Sequence, residues 1–458
     1  MIVRYAPLSV RRQKPSAGGS IQWLQQCLKK GSLCTCARLE SAGIFLTRIF
    51  RDSFIVMQQL SAEDFLDRMQ QLILNTAMNS TYKLALVMAL TDAALASASR
   101  PDAQAAQDGL CRIPLKAVAV EFLRIYWPQR LAYPSPAAGV AARPLIQNFT
   151  ARNGRRQRDR IFTIIDEALV SAHEVLPNAR LVTFDQFSRA AAGPLKAVYG
   201  KLVRECVALL KKNPLTYIEP DANFLFALDK NDLVLAVEHV RLLQRFRPVI
   251  YELAQSRWVS HVRSIESNSE LLGQAPGDDT LREFLFAPVR GEALSAIRNA
   301  LINVQGPAHC FYCRRKLSPS QVQVDHFLPF TRYSHTRLFN FVLACPSCNA
   351  SKSNWLANAH HVEHWVRRND DHGNDLLAAA AGIAPAGGLE VADMALTLYS
   401  LAGSHAEPLW TERLNGRATG AQLSRDAHIV EHDIIPLLEQ NRSNMSRLAA
   451  ETPAASFV

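Results

Sequence analysis

Four cysteines in two Cys-x-x-Cys pairs are the residues whose types and spacing most clearly indicate chemistry. Cys310 and Cys313 lie in "CFYC", Cys345 and Cys348 lie in "CPSC", and 31 residues separate the pairs. Two such pairs supply four thiolate ligands for a tetrahedral zinc ion. A site closed by four protein ligands has no open position for a substrate. The pattern therefore predicts a structural zinc that stabilises an element too small to bury its own core.

Oxygen and nitrogen donors lie between the cysteine pairs and directly after them. The segment "VQVDHFLPF" contains Asp325 and His326, and two asparagines, Asn340 and Asn349, follow. Its alternation of apolar and polar residues, stopped by Pro329, predicts a short strand that presents the Asp-His pair at its end. The run "NFVLAC" predicts a second strand, and a helix is predicted to begin near Asn349.

Helices are the main elements that must position these residues. Apolar residues recur with helical spacing in "FLDRMQQLIL", which Ser61 can cap, and in "YKLALVMALTDAALASA". A long helix, or a pair kinked at Pro248, is predicted for "NDLVLAVEHVRLLQRFRPVIYELAQSRWVSHVRSI". A few strands are predicted at "FDQF", "AVYGKL" and "NFLFALD". After the cysteine motif, Ala378–Val391 has the composition of a small-residue linker, and helices close the chain.

Composition and charge favour an ordinary soluble protein with an anionic partner. The chain has 458 residues, 48% hydrophobic and 20% charged residues, and a net charge of +10. Residues 1–56 hold nine Lys and Arg residues and two Asp and Glu residues. Residues 305–370 hold eight Lys and Arg residues and three Asp and Glu residues. The basic N-terminal segment is expected to be a disordered or mis-assigned extension. We therefore divide the chain at 1–56, 57–300, 301–370 and 371–458.

Cysteine usage and hydropathy indicate a location for the protein. Nine cysteines, an odd number, without a secretory apolar segment argue against a disulfide framework and indicate a reducing, cytoplasmic location. The longest apolar run, Leu84–Leu90, is too short to span a bilayer and predicts a buried helix. No membrane association is expected.

The motif as a whole resembles the zinc-containing, four-cysteine branch of the HNH endonucleases. The resemblance rests on "CFYC", "DHFLP" and "NFVLACPSCNASK", and it covers about residues 310–354, near a tenth of the chain. A looser likeness extends to bacterial HNH proteins with a helical N-terminal region. The predicted fold class is accordingly mainly α: an N-terminal helical region, a small zinc-stapled ββα-metal finger, and C-terminal helices.

The resemblance implies a role for each polar residue of the motif. His326 is expected to be the general base that takes a proton from water, and Asn340 to orient the loop and the histidine. Asp325 and Asn349 are expected to hold one divalent ion, Mg²⁺ or Mn²⁺, because hard ions prefer oxygen ligands and leave room for phosphate. The predicted phosphate contacts are Lys352 at the helix start, and Arg332 and Arg337 in the loop before Asn340.

Three functions remain open from the sequence. The first is a metal-dependent nuclease that cuts DNA, with restriction or phage defence as the setting that the resemblance implies. The second is a catalytically silent, zinc-stapled nucleic-acid-binding module, and the third is a nicking or RNA-cutting nuclease. One active site per chain means that double-strand cleavage needs a homodimer or two successive nicks. Residues 57–300 are expected to recognise the target or bind a partner.

Overall fold

The computed structural model describes most of the chain after residue 59. The described ranges are 60–75, 78–98, 109–135, 139–148, 151–152, 155–156, 159–177, 183–191, 193–273, 277–286, 292–306, 309–380, 383–411, 422–424 and 427–451. The predicted basic extension, residues 1–56, lies outside these ranges.

Helices dominate the N-terminal part of the described chain. In order, they are α1 (Ala62–Leu74), α2 (Tyr82–Ala98), α3 (Leu115–Tyr126), α4 (Arg160–Val175), α5 (Phe184–Ala190), α6 (Lys196–Lys212), α7 (Pro214–Ala222), α8 (Val237–Ser264), α9 (Glu266–Leu272) and α10 (Asp278–Phe286). Ser61 caps α1 by accepting a hydrogen bond from the backbone N–H of Asp64, as predicted. Pro248 lies inside α8, which is one helix of 28 residues.

Short strands complete the N-terminal part. They are β1 (Leu110–Pro114), β2 (Ala132–Tyr133), β3 (Arg143–Pro144), β4 (Ala151–Arg152), β5 (Arg155–Arg156), β6 (Ala227–Asp229) and β7 (Asp232–Ala236). Strands β1, β7 and β6 form an antiparallel sheet in that order. The strand prediction at "NFLFALD" is confirmed in part by β6, whereas those at "FDQF" and "AVYGKL" are wrong. Those segments form α5 and part of α6, with Thr183 and Gln186 in a capping box at the start of α5.

The first hydrophobic core lies among these helices, with α2 at its centre. Helix α2 packs against α3 and α8. Its residues from Leu84 to Leu90 are all buried, so the predicted buried helix is confirmed. A helix that is apolar on every side must be covered on every side, which explains its central position.

A second core lies around the cysteine motif and the helices on either side of it. The elements of this part of the chain are α11 (Glu292–Gln305), β8 (Gln323–His326), β9 (Phe341–Ala344), α12 (Pro346–Lys352), α13 (Ala359–Ala379), α14 (Gly388–Ser404), β10 (Leu409–Thr411), β11 (Gln422–Ser424), α15 (Ala427–Ile429), a π-helical turn (Val430–Ile434) and α16 (Ile435–Glu451). Strands β8 and β9 pair antiparallel, as do β10 and β11. The mainly α fold, with a small hairpin and helix in the motif region, is confirmed.

Two boundaries of the predicted domains differ from the packing. A boundary at residue 300 divides α11, although Ile297 and Leu301 of this helix both belong to the second core. The C-terminal helices α14 and α16 share that core with the cysteine motif, because Leu398 and Leu438 are buried in the same cluster as Phe339. The motif is therefore embedded between the helix that precedes it and the helices that follow it.

Candidate active site

The four predicted zinc ligands lie together at one end of the hairpin. The sulfur atoms of Cys310, Cys313, Cys345 and Cys348 are all within 4.8 Å of one another. Hydrogen bonds from the Cys348 thiol and from backbone N–H groups lower the pKa of the Cys310 thiol to about 4, which favours the thiolate that metals bind. Four soft donors at tetrahedral separations fit zinc, and the cluster can hold it without an open position.

Local backbone geometry explains how each pair folds into its turn. The Cys310 carbonyl accepts a hydrogen bond from the N–H of Arg314, whose positive φ of 60° turns the chain back after Cys313. Cys345 caps α12, because its sulfur accepts a hydrogen bond from the N–H of Cys348 at 3.4 Å. The second pair therefore begins the helix that carries Asn349.

The register of the hairpin places Asp325 and His326 on opposite faces. Asp325 lies opposite Val342, and His326 lies opposite Phe341. Consecutive strand residues point to opposite sides, so Asp325 shares its face with Gln323. Helix α12 lies on that face.

Asp325 is buried and already has two partners. The Tyr312 hydroxyl donates to Asp325 Oδ2 at 2.6 Å, and Lys352 Nζ lies 3.2 Å from the same oxygen. Lys352 Nζ also donates to the His326 carbonyl at 2.7 Å. The ammonium thus ties α12 to the end of β8, next to the Asp-His pair. Both of these side-chain contacts of Asp325 fall on Oδ2, so neither of them uses Oδ1.

His326 lies among aromatic rings. The centre of its ring is 4.5 Å from that of Phe341 and 5.5 Å from that of Phe330. Burial, with a smaller contribution from the charge of Lys352, lowers the pKa of His326 to about 3. The imidazole is therefore neutral at cellular pH, which is the form that can accept a proton. Its Nε2 is buried and has no hydrogen-bond partner among the described residues, so a water molecule must enter this pocket to meet it.

Asn340 braces the turn that follows His326. The side chain is fully buried, and it accepts from the Leu328 N–H at 2.8 Å and donates to the Leu328 carbonyl at 3.0 Å. Its own carbonyl accepts from the N–H of Phe327 at 2.7 Å. These bonds hold the backbone beside the histidine, and they occupy the side-chain oxygen that a metal would need.

Asn349 is partly exposed on α12 and faces the same side of the hairpin as Asp325. Its Nδ2 donates to Gln323 Oε1 at 2.8 Å, so this bond does not use Oδ1. One carboxylate oxygen and one amide oxygen form a donor set that suits Mg²⁺ or Mn²⁺, with the remaining positions filled by water and phosphate. The residues present therefore fit the implied divalent ion.

The structure buries two of the three predicted phosphate contacts. Lys352 is 0% exposed, and its ammonium is bound inside the protein. Arg337 is also buried and pairs with Glu390 at 2.6 Å and with Asp185 at 3.3 Å. Arg332 is partly buried and pairs with Glu407 at 2.8 Å, so its contact with phosphate stays a prediction.

Comparison with known protein families agrees with this geometry. Residues 310–357, which include the four-cysteine cluster and the hairpin, match the model of an HNH endonuclease. These residues are an HNH endonuclease domain. Residues 62–275 match a domain of unknown function, DUF8808. No curated protein and no solved structure matches the chain. No helix in the described ranges is long and apolar enough to cross a bilayer.

A buried polar cluster joins the HNH domain to the DUF8808 domain, and the sequence analysis missed it. Its members come from five helices and from the loop between His326 and Asn340, and no regular spacing in the sequence marks them. We call it the interdomain cluster, which consists of Asp92, Glu121, Arg124, Asp185, Arg247, Tyr251, Tyr333, Ser334, His335, Arg337 and Glu390.

Arg247 of α8 is the main link between α2 and the HNH loop. Its Nε donates to Asp92 Oδ1 at 2.7 Å, and its other nitrogens donate to the Ser334 hydroxyl at 2.8 Å and to the Thr331 carbonyl. Tyr251 donates to the second oxygen of Asp92. One guanidinium thus connects the DUF8808 domain to two points of the loop that leads from the catalytic strand to Asn340.

His335 forms the second link. Its Nε2 lies 3.0 Å from Glu121, and its Nδ1 lies 2.8 Å from Glu390. Burial alone lowers the pKa of His335, but the charge of Glu121 and hydrogen bonds to both glutamates outweigh it and raise the pKa. In return, burial of Glu121 is outweighed by the charges of His335 and Arg124, which lower the pKa of Glu121 to about 2.

The charges of the interdomain cluster balance without a metal ion. Ligand atoms of Asp92, Glu121 and His335 lie within 4.8 Å of one another, close enough to share an ion. Asp92, however, pairs with Arg247, and Glu121 pairs with Arg124 and His335. Four carboxylates thus face three guanidiniums and one imidazolium, so we assign this cluster to domain coupling.

Proposed function

We propose that this chain is a metal-dependent HNH endonuclease that hydrolyses phosphodiester bonds in DNA. The observation that carries the proposal is the placement of three residues on and beside β8. Asp325 and Asn349 face one side of the hairpin, and His326 ends the strand next to Asp325, on the other face. The four-cysteine cluster holds the hairpin and α12 together, as a structural zinc site would.

Each residue has a chemical task in this proposal. Neutral His326 accepts the proton of the attacking water through Nε2. Asp325 and Asn349 would hold the divalent ion, and that ion would supply Lewis-acid neutralisation of the phosphate oxygens and the leaving oxygen. Asn340 keeps the backbone after His326 in place and touches neither water nor metal.

A silent nucleic-acid-binding module is the second candidate, and one observation favours it. His326 Nε2 is buried between aromatic rings, out of contact with solvent. In the nuclease, substrate binding would open the pocket around His326 Nε2 to water, whereas in the silent module this pocket would stay closed. Cleavage therefore separates the two functions directly.

The test is cleavage of supercoiled plasmid with Mg²⁺ or Mn²⁺, with EDTA as the metal control. The variant is His326→Ala, and the matched control is His405→Ala, because His405 is exposed at the end of α14. Loss of a general base lowers rates by about 100-fold to 10,000-fold, so we expect at least a 100-fold loss for His326→Ala and none for His405→Ala. Equal rates for both variants would falsify the assignment of His326.

Product analysis completes the experiment. Linear product from single encounters supports a homodimer, and nicked circles support one active site acting alone. Parallel incubation with single-stranded RNA shows which polymer is preferred. Binding of both polymers with cleavage of neither favours the silent module.

A further inference from the structure

None of the three predicted phosphate contacts gives the proposed active site a cation without an internal ion pair. Negative charge on the phosphate grows as the phosphodiester is attacked, so a fixed cation near the metal ligands stabilises the reaction. Lys352 and Arg337 are buried in internal ion pairs, and Arg332 is paired with Glu407. A cation without an internal ion pair would therefore come from another element.

Helix α11 lies directly beside the catalytic hairpin, although it precedes the matched HNH residues. It packs against both β8 and β9, and Ile297 and Leu301 anchor it in the second core. These anchors are four residues apart and define its buried stripe. Ser295 and Arg298 lie at the edge of that stripe, where the helix borders the hairpin.

Arg298 and the metal ligand Asn349 line the same cavity. It measures about 330 Å³ and opens to the surface, with Leu294, Ser295 and Arg298 on one wall. The other wall consists of Val322 and the first two residues of β8, Gln323 and Val324, together with Asn349. Gln323, which accepts the hydrogen bond of Asn349, also lines it. Arg298 therefore borders a space that also contacts Asn349, one of the two proposed ligands of the divalent ion.

Arg298 also has bonding capacity to spare. Its Nε is buried, and it has no hydrogen-bond partner in the described ranges. No ion pair of Arg298 occurs among the described residues, in contrast to Arg332 and Arg337. A buried donor without a partner destabilises the protein until an acceptor arrives, and a guanidinium binds phosphate oxygens through two parallel hydrogen bonds.

We propose that Arg298 binds a phosphate of the substrate strand in this cavity, beside Asn349, a proposed ligand of the divalent ion. The inference rests on the proposed nuclease function. It assigns a substrate contact to a helix that lies outside both matched domains. Strand β8 and α11 then form the two walls of the groove that receives the nucleic-acid backbone.

The first experiment measures binding without cleavage. A fluorescent DNA duplex is titrated with protein in EDTA at several salt concentrations, for wild type and for Arg298→Gln. Loss of one phosphate contact reduces the slope of log K against log salt by about 1. The control is Arg241→Gln, because Arg241 is an exposed arginine on α8 with an ion pair of its own, and its slope should equal that of wild type.

Two further variants protect the test against a simple folding defect. Arg298→Lys keeps the charge and should retain most of the slope while losing the two parallel hydrogen bonds. Ser295→Glu adds a negative charge at an exposed position of the same wall, so it should weaken binding without touching the core. Single-turnover cleavage should fall at least tenfold for Arg298→Gln and Ser295→Glu.

The outcomes distinguish this inference from the proposed function. If wild type cleaves DNA and Arg298→Gln matches it in both rate and salt slope, the role of Arg298 is overturned and the nuclease stands. If wild type binds without cleaving and only Arg298→Gln loses slope, the nuclease fails and the phosphate contact stands. If wild type neither binds nor cleaves DNA or RNA, both are overturned.

Discussion

Replacing Arg247 by Met tests how strongly the DUF8808 domain holds the HNH loop. Methionine keeps an apolar stem of similar length and removes the guanidinium. The change leaves the Asp92 carboxylate buried, with Tyr251 and Ser334 as its remaining partners. It also removes two of the bonds that reach the loop, at Thr331 and Ser334.

The expected magnitude follows from burial. The side chains of Arg247 and Asp92 are 1% and 7% exposed, so the pair lies in a low-dielectric interior. Removing one member of a buried pair costs about 3–5 kcal/mol, because the other charge stays uncompensated. The Arg241–Glu238 pair on the same helix has side chains 61% and 48% exposed, and a pair of this kind contributes about 0.3–0.5 kcal/mol.

Urea denaturation of Arg247→Met and Arg241→Met measures both costs in one protein. We expect a loss of about 3–5 kcal/mol in the free energy of unfolding for the first variant and less than about 0.5 kcal/mol for the second. Adding Asp92→Asn to Arg247→Met should recover part of the lost unfolding free energy, because it removes the charge of the carboxylate that has lost its partner. A loss below about 1 kcal/mol for Arg247→Met, equal to that of the exposed control, would refute the argument that the Arg247–Asp92 ion pair is shielded from water and strongly stabilising.

Two other predictions concern metal and pH. Cys345→Ser should release zinc and expose the HNH domain to protease. The control Cys111→Ser changes a cysteine outside the cluster and should keep one zinc per chain. A Cys345→Ser protein that is folded but free of zinc would contradict the proposed role of the metal. The raised pKa of His335 means that its contribution is complete below pH about 6.5 and declines as pH rises through the folded value. The contribution of Glu121, with its pKa lowered to about 2, is complete above pH about 4.5 and declines as pH falls towards 2. The difference in unfolding free energy between wild type and His335→Asn should therefore be larger at pH 6 than at pH 9, and equal differences would exclude a charged His335.

Several features of the protein could be predicted because they depend on neighbours in the chain. Two Cys-x-x-Cys pairs predict four ligands, because each pair closes its own turn and thiolates select zinc. The cap at Ser61, the buried run from Leu84 to Leu90 and the mainly helical fold follow from local spacing in the same way. The strand predictions within 184–202 failed because capping and tertiary packing outweighed β-like composition.

The choice of which charges face solvent was decided only by the tertiary structure. Lys352 and Arg337 have the composition and position of phosphate contacts, yet each is buried against a carboxylate. Glu390 lies in a segment that composition assigns to a linker, although it pairs with both His335 and Arg337.

Distance along the chain explains these failures. The partners of the interdomain cluster are far apart in sequence, 155 residues for Arg247 and Asp92 and 214 for His335 and Glu121. The sequence by itself predicted the four-cysteine cluster and the HNH motif, because ligand chemistry and short spacings are local. Packing between distant helices decided which cations lack an internal ion pair and can bind substrate, and Arg298 is the one that we propose.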